Sequence, residues 1–93
     1  MKKPSPKPEV TIPDLKPLTI AQLAKLIVKD WPVVNYAAKP YLMAMNSLRT
    51  LDDHYGLDTG ASVVRYFLSN AGSYRGEMAR AIKKELNFRL KGN

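Results

Sequence analysis

Proline placement sets the limits on what this chain can fold into. Five of the seven prolines, Pro4, Pro6, Pro8, Pro13 and Pro17, fall within residues 1–17. Each fixes φ and removes a backbone donor, so this stretch suits neither a helix nor a central strand. Residues 1–17 read as a Pro-rich basic tail, disordered or extended, with Val10, Thr11 and Ile12 able to lie on the domain as a short extended piece. The other two prolines, Pro32 and Pro40, together with Gly56 and Gly72, divide residues 18–93 into five segments. Four of them carry helical periodicity, the exception being the short stretch 33–39. The expected fold class is therefore all-α: a small four-helix domain over residues 18–93 with a Pro-rich N-terminal tail.

The first helix is expected over 19–31. Thr19 and Gln22 have capping-box spacing, with Leu18 and Leu23 placed as a hydrophobic staple. Ile20, Leu23, Ala24, Ile27 and Trp31 share one face, widened by Leu26 and Val28. Pro32 ends it, because the residue before a proline is pushed out of α geometry. Residues 33–39 read either as a connection or as a distorted turn. The second helix is expected over 40–55, with Pro40 in its first turn and Gly56 closing it. Its stripe is Tyr41, Ala44, Met45, Leu48, Leu51 and Tyr55, with Leu42 and Met43 adding burial.

The third helix is expected over 59–71, capped by Asp58, with Thr59 as the alternative. Val63, Val64, Tyr66, Phe67 and Leu68 leave it little polar surface, which makes it the central, buried element. Gly60 at its start suggests a close approach or a turn. After Gly72, with Ser73 as cap, a fourth helix is expected over 74–90. Met78, Ala79, Ile82, Leu86 and Leu90 lie within an arc of roughly 120°. Arg80, Lys83, Lys84, Asn87 and Lys91 fall on the other side, and Arg89 sits at the edge of the apolar stripe.

Charge points to the class of partner. The chain has 15 Lys and Arg against 8 Asp and Glu, a net +7. Residues 75–93 hold six basic and two acidic side chains, whereas 18–74 hold five and four. The positive charge is concentrated at the ends of the chain. Such an imbalance favours polyanions, chiefly nucleic acid, or an anionic membrane surface, or an acidic protein. The expected function is that of a non-enzymatic nucleic-acid-binding accessory or regulatory protein. Arg75, Arg80, Lys83, Lys84 and Lys91 would contact phosphate, helped by Lys2, Lys3 and Lys7. The alternative is a protein-interaction module that docks on an acidic partner or self-associates, and a domain this small gains stability from forming a homodimer.

The third and fourth helices could form a helix-turn-helix around Gly72. Phe67, Leu68 and Ala71 would then face Met78, Ala81 and Ile82, leaving Arg75, Arg80, Lys83 and Lys84 outward. Two features oppose this. Leu68 is bulky where a small residue usually lets the helices approach, and the fourth helix is long for a recognition helix. The competing reading is an ordinary amphipathic helix whose cations are solvated.

Catalysis has no foothold. There is no cysteine, His54 is the sole histidine, and Ser62, Ser69 and Ser73 lack a nucleophile-elbow context. Asp52, Asp53, His54 and Asp58 cluster without recurring at metal-ligand spacing. No cofactor and no metal are expected. No apolar run approaches the ~18 residues that span a bilayer, and no signal-peptide core follows Lys2 and Lys3. A cytoplasmic protein with no membrane partner is the expectation.

From Pro40 to Leu90 the chain also resembles small helical proteins carried by phages and other mobile elements. The residues carrying the likeness are Pro40-Tyr41-Leu42, Ala44-Met45, Asp53 to Gly56, Tyr66-Phe67-Leu68-Ser69-Asn70-Ala71 and Arg75-Gly76-Glu77. The resemblance implies a prokaryotic or viral accessory protein and carries no catalytic or binding residue with it.

Overall fold

The computed structural model describes residues 12–92. Its elements are α1 (Ile20–Asp30), α2 (Lys39–Met45), β1 (His54–Tyr55), β2 (Asp58–Thr59), α3 (Gly60–Ser69) and α4 (Glu77–Gly92). The fold is mostly helical, as expected, with one addition: β1 and β2 form a minimal antiparallel hairpin, pairing His54 with Thr59 and Tyr55 with Asp58. Helix α2 packs on α1 and α3, and α4 packs on the same two helices. The hairpin rests against α3. Among the described residues no helix is long and apolar enough to cross a membrane.

Helix α1 starts where its capping box demands. Thr19 Oγ1 accepts the Gln22 amide at 3.0 Å, and Gln22 Oε1 accepts the Thr19 amide at 2.8 Å. It ends at Trp31, whose extended backbone (φ −97°, ψ 99°) is what Pro32 requires. Trp31 is buried in the core, stacked on Tyr74 with centroids 5.0 Å apart and edge-on to Phe67 at 6.3 Å.

The second helix departs most from expectation. It stops at Met45 rather than running to Tyr55. Ser47 Oγ turns back to the Ala44 carbonyl at 2.9 Å, and a turn follows. Leu48 and Leu51 are buried as the periodicity implied, but they hang from a non-helical segment. The cause is an acceptor demand from elsewhere. The Ile20 and Ala21 amides at the start of α1 donate to the carbonyls of Arg49 (3.0 Å) and Leu48 (2.8 Å). The Gly60 and Ala61 amides at the start of α3 donate to Asp53 (2.6 Å) and Leu51 (3.0 Å). A continuous helix would spend those carbonyls on its own amides.

Thr59, not Asp58, caps α3, accepting the Ser62 amide at 3.1 Å. Gly56 is not a helix terminator; its φ of 63° serves the two-residue hairpin turn. Helix α3 buries Gly60, Ala61, Val63, Val64 and Phe67. Tyr66, expected inside, is half exposed and lies against Tyr41 at 5.4 Å. Val28 and Met43 are likewise exposed rather than buried.

Residues 12–17, read as tail, are partly packed. Leu15 belongs to the core. Arg89 holds this segment down: its guanidinium donates to the carbonyls of Leu15 (2.8 Å) and Lys16 (3.1 Å) and pairs with the buried Glu85 at 2.7 Å.

Two predictions follow from the loop between α2 and β1. A Cβ on Gly60 would sit 2.8 Å from the Thr50 carbonyl oxygen and 3.0 Å from that of Leu51. Gly60→Ala should cost about 1–3 kcal/mol in chemical denaturation. Gly72→Ala, with nothing within 4 Å, should be close to neutral. Asp53 accepts the Arg49 amide at 2.8 Å, and this bond holds its carboxyl below the usual value of 3.8. Its contribution is therefore present above the unfolded-state value and lost as pH falls through the lowered folded one. The Asp53→Asn variant should melt below the wild type at pH 7, and the gap should close on acidification.

Candidate nucleic-acid interface

The loop between α3 and α4 decides how the basic helix is presented. Helix α3 ends at Ser69 and α4 begins only at Glu77. The fourth helix thus starts three residues later than the expected Tyr74. Two causes act together. Tyr74 is drawn into the core against Trp31. Gly76, at φ 116°, takes a conformation closed to other residues, and its carbonyl accepts the Arg80 amide at 3.0 Å. Asn35 anchors the loop from outside by donating to the Asn70 carbonyl at 3.0 Å. A connection this long is not the short turn of a helix-turn-helix, so that arrangement is not formed.

Lys83 is the main correction to the expected phosphate-contacting set. It does not point outward. Its ammonium donates to the carbonyls of Ala71 and Tyr74, each at 2.7 Å. Partial burial pushes its pKa down, and the nearby charge of Arg75 pushes the same way. Lys83 therefore closes the interhelical loop. On a helical wheel Lys83 lies about 20° from Leu90, at the border of the apolar stripe, whereas Lys84 lies on the open side. The path of residues 70–76 is what brings two carbonyls within reach of Lys83.

The remaining cations behave differently. Arg75, Arg80, Lys84 and Lys91 are exposed. Arg80, Lys84, Asn87 and Lys91 are spaced four, three and four residues apart, within an arc of roughly 60° on α4. None of the four cations forms an ion pair among the described residues, where the pairs found are Lys16–Glu85 and Arg89–Glu85. The acidic residue in the middle of α4, Glu85, is thus turned inward and neutralised, and the only exposed carboxylate on the described part of α4 is Glu77 in its first turn. Lys91 and Asn87 also line a shallow cleft against α3, where Arg65, Ser69, Leu68 and Leu90 complete the wall. Arg65 joins the basic surface through this cleft. Its position opposite Lys91 depends on how α3 and α4 pack, so the sequence offered no signal for it. Lys2, Lys3 and Lys7 lie outside the described residues.

The acidic cluster near the hairpin does not form a metal site. Among the described residues no three His, Asp or Glu side chains come together as ligands. Asp52, His54 and Asp58 are exposed, and Asp53 is engaged with the Arg49 amide.

One buried group stands unpaired. The Tyr74 hydroxyl has no hydrogen-bond partner among the described residues. Burial raises its pKa, and the neighbouring Asp30 carboxylate raises it further.

No family model matches the chain, and no curated protein or solved structure matches it either.

The neighbouring lysines 83 and 84 give a direct check on this geometry. Lys83→Ala strips two loop carbonyls of their donor and should cost about 1–3 kcal/mol. Lys84→Ala, on the open face, should change stability by no more than about 0.5 kcal/mol. Equal effects in a urea titration would contradict the inward placement of Lys83.

Proposed function

We propose that this chain is a non-enzymatic nucleic-acid-binding accessory protein that grips the phosphate backbone with the exposed face of α4. The observation that supports it best is the alignment of Arg80, Lys84 and Lys91 on one face, free of ion pairs among the described residues. Arg75 adds charge near the start of the helix, and Arg65 and Asn87 extend the surface into the α3–α4 cleft. Arginine forks onto phosphate oxygens, lysine supplies a point charge, and Asn87 can donate to a sugar or phosphate. The Pro-rich arm, with Lys2, Lys3 and Lys7, adds positive charge on the same chain.

The mode is backbone tracking rather than base reading. Without a short turn, α4 is not offered end-on to a groove as a recognition helix is. Its exposed face also has few short polar side chains to pair with base edges. Binding is accordingly sequence-blind and driven by counterion release.

Fluorescence anisotropy of a labelled duplex tests this. Affinity should fall with salt, with a log–log slope of about −3 if three to four phosphates are neutralised. The double variant Arg80→Glu/Lys84→Glu should lose binding at low salt while keeping its circular dichroism and melting temperature. Absence of wild-type binding at low salt, or undiminished binding by the double variant, would refute the reading.

A further inference from the structure

Two surface features are left unexplained by a basic α4, and they are complementary to each other. The first is an open groove of about 530 Å³ between α1 and α2. Its floor is apolar, formed by Val28, Val34, Leu42 and Met43, of which Val28 is 58% exposed and Met43 69%. Its charged rim is entirely positive: Lys25 and Lys29, one turn apart on α1, and Lys39 at the start of α2. No acidic residue lines it.

The second feature is the hairpin tip. The turn Gly56-Leu57 holds the Leu57 side chain fully in solvent, at 101% exposure. Tyr55 beside it is half exposed. Asp58, which follows Leu57 in the hairpin and pairs with Tyr55 in the ladder, is exposed and puts a carboxylate next to this apolar tip. The hairpin is held from behind by its ladder and by the Gly60 amide donating to the Asp53 carbonyl, so the tip is presented on a fixed base.

We infer that the α1–α2 groove is the docking site for the hairpin tip of a second copy of this chain, so that the protein associates head to tail. Leu57 and Tyr55 supply apolar surface for the groove floor, and Asp58 supplies negative charge to match the lysine rim. A groove-to-groove dimer is disfavoured, because a two-fold axis would set Lys25, Lys29 and Lys39 against their own equivalents. The contact is therefore heterologous: each copy offers a knob and a groove, and the assembly closes into a ring or continues as an open chain. It uses none of the residues assigned to phosphate contact, so it stands whether or not the chain binds nucleic acid.

Sedimentation velocity on the full chain tests this by complementation. The wild type should grow in mean mass with concentration. Leu57→Lys, which spoils the knob, and the double variant Val28→Glu/Met43→Glu, which spoils the groove, should each weaken association by about tenfold or more. All three positions are exposed, so the fold should persist, and circular dichroism checks that it does. An equimolar mixture of the two variants retains one intact groove and one intact knob, and should form a one-to-one dimer that neither forms alone. A wild type that stays monomeric at every concentration would overturn the proposal, since the groove would then await a different occupant. So would association unaffected by the substitutions, or a mixture that remains monomeric.

Discussion

Helix N-termini inside a small domain need acceptors, and here one stretch of chain supplies them to two helices. The carbonyls of Leu48 and Arg49 receive the first amides of α1, and those of Leu51 and Asp53 receive the first amides of α3. Thr19 and Thr59 satisfy the third amide of each helix with their hydroxyls. With these bonds made, the starts of α1 and α3 are fixed to a common strip of backbone. The relative placement of the two helices follows, and with it the pocket that receives Trp31, Phe67 and Tyr74. Close approach of α3 to that strip is open only to a residue without a Cβ, which accounts for Gly60.

This arrangement explains why the fold was only partly legible in the sequence. Local signals worked where the partner was local. The Thr19–Gln22 capping box and the stop at Pro32 depend on residues a few positions apart, and both were readable; the cap of α3 was placed to within one residue, at Asp58 rather than Thr59. Leu48 and Leu51 were identified as buried because burial leaves a pattern in composition. Their helical state was misjudged because the competing acceptor demand came from Ile20 and Ala21, nearly thirty residues upstream. Gly56 was read as a helix terminator for the same reason: a positive φ serves a hairpin turn as well as a helix end.

The cations show the same division. Residue type and spacing found Arg80, Lys84 and Lys91, because solvent is the default for a polar helix face. They set Arg89 apart at the edge of the apolar stripe but grouped Lys83 with the outward cations, although Lys83 is consumed by the protein's own carbonyls as Arg89 is by Leu15, Lys16 and Glu85. The net charge of the chain therefore overstates the field that α4 offers to a partner. What remains is narrower and better ordered, since the one carboxylate in the middle of the helix is withdrawn from the outer surface. Helix periodicity alone also filled every apolar position with a packing partner. Val28 and Met43 are instead mostly exposed, and this is visible only once the neighbouring elements are placed.

The Arg89 clasp on residues 15 and 16 grips main-chain oxygens rather than side chains. Any residue at position 16 offers the same carbonyl, so the course of this segment is insulated from most changes in its own sequence. Only Leu15, which enters the core, is tied to a particular shape. The rest of the stretch can vary in what it displays while its route across the domain stays the same, held by a helix more than seventy residues away in the sequence.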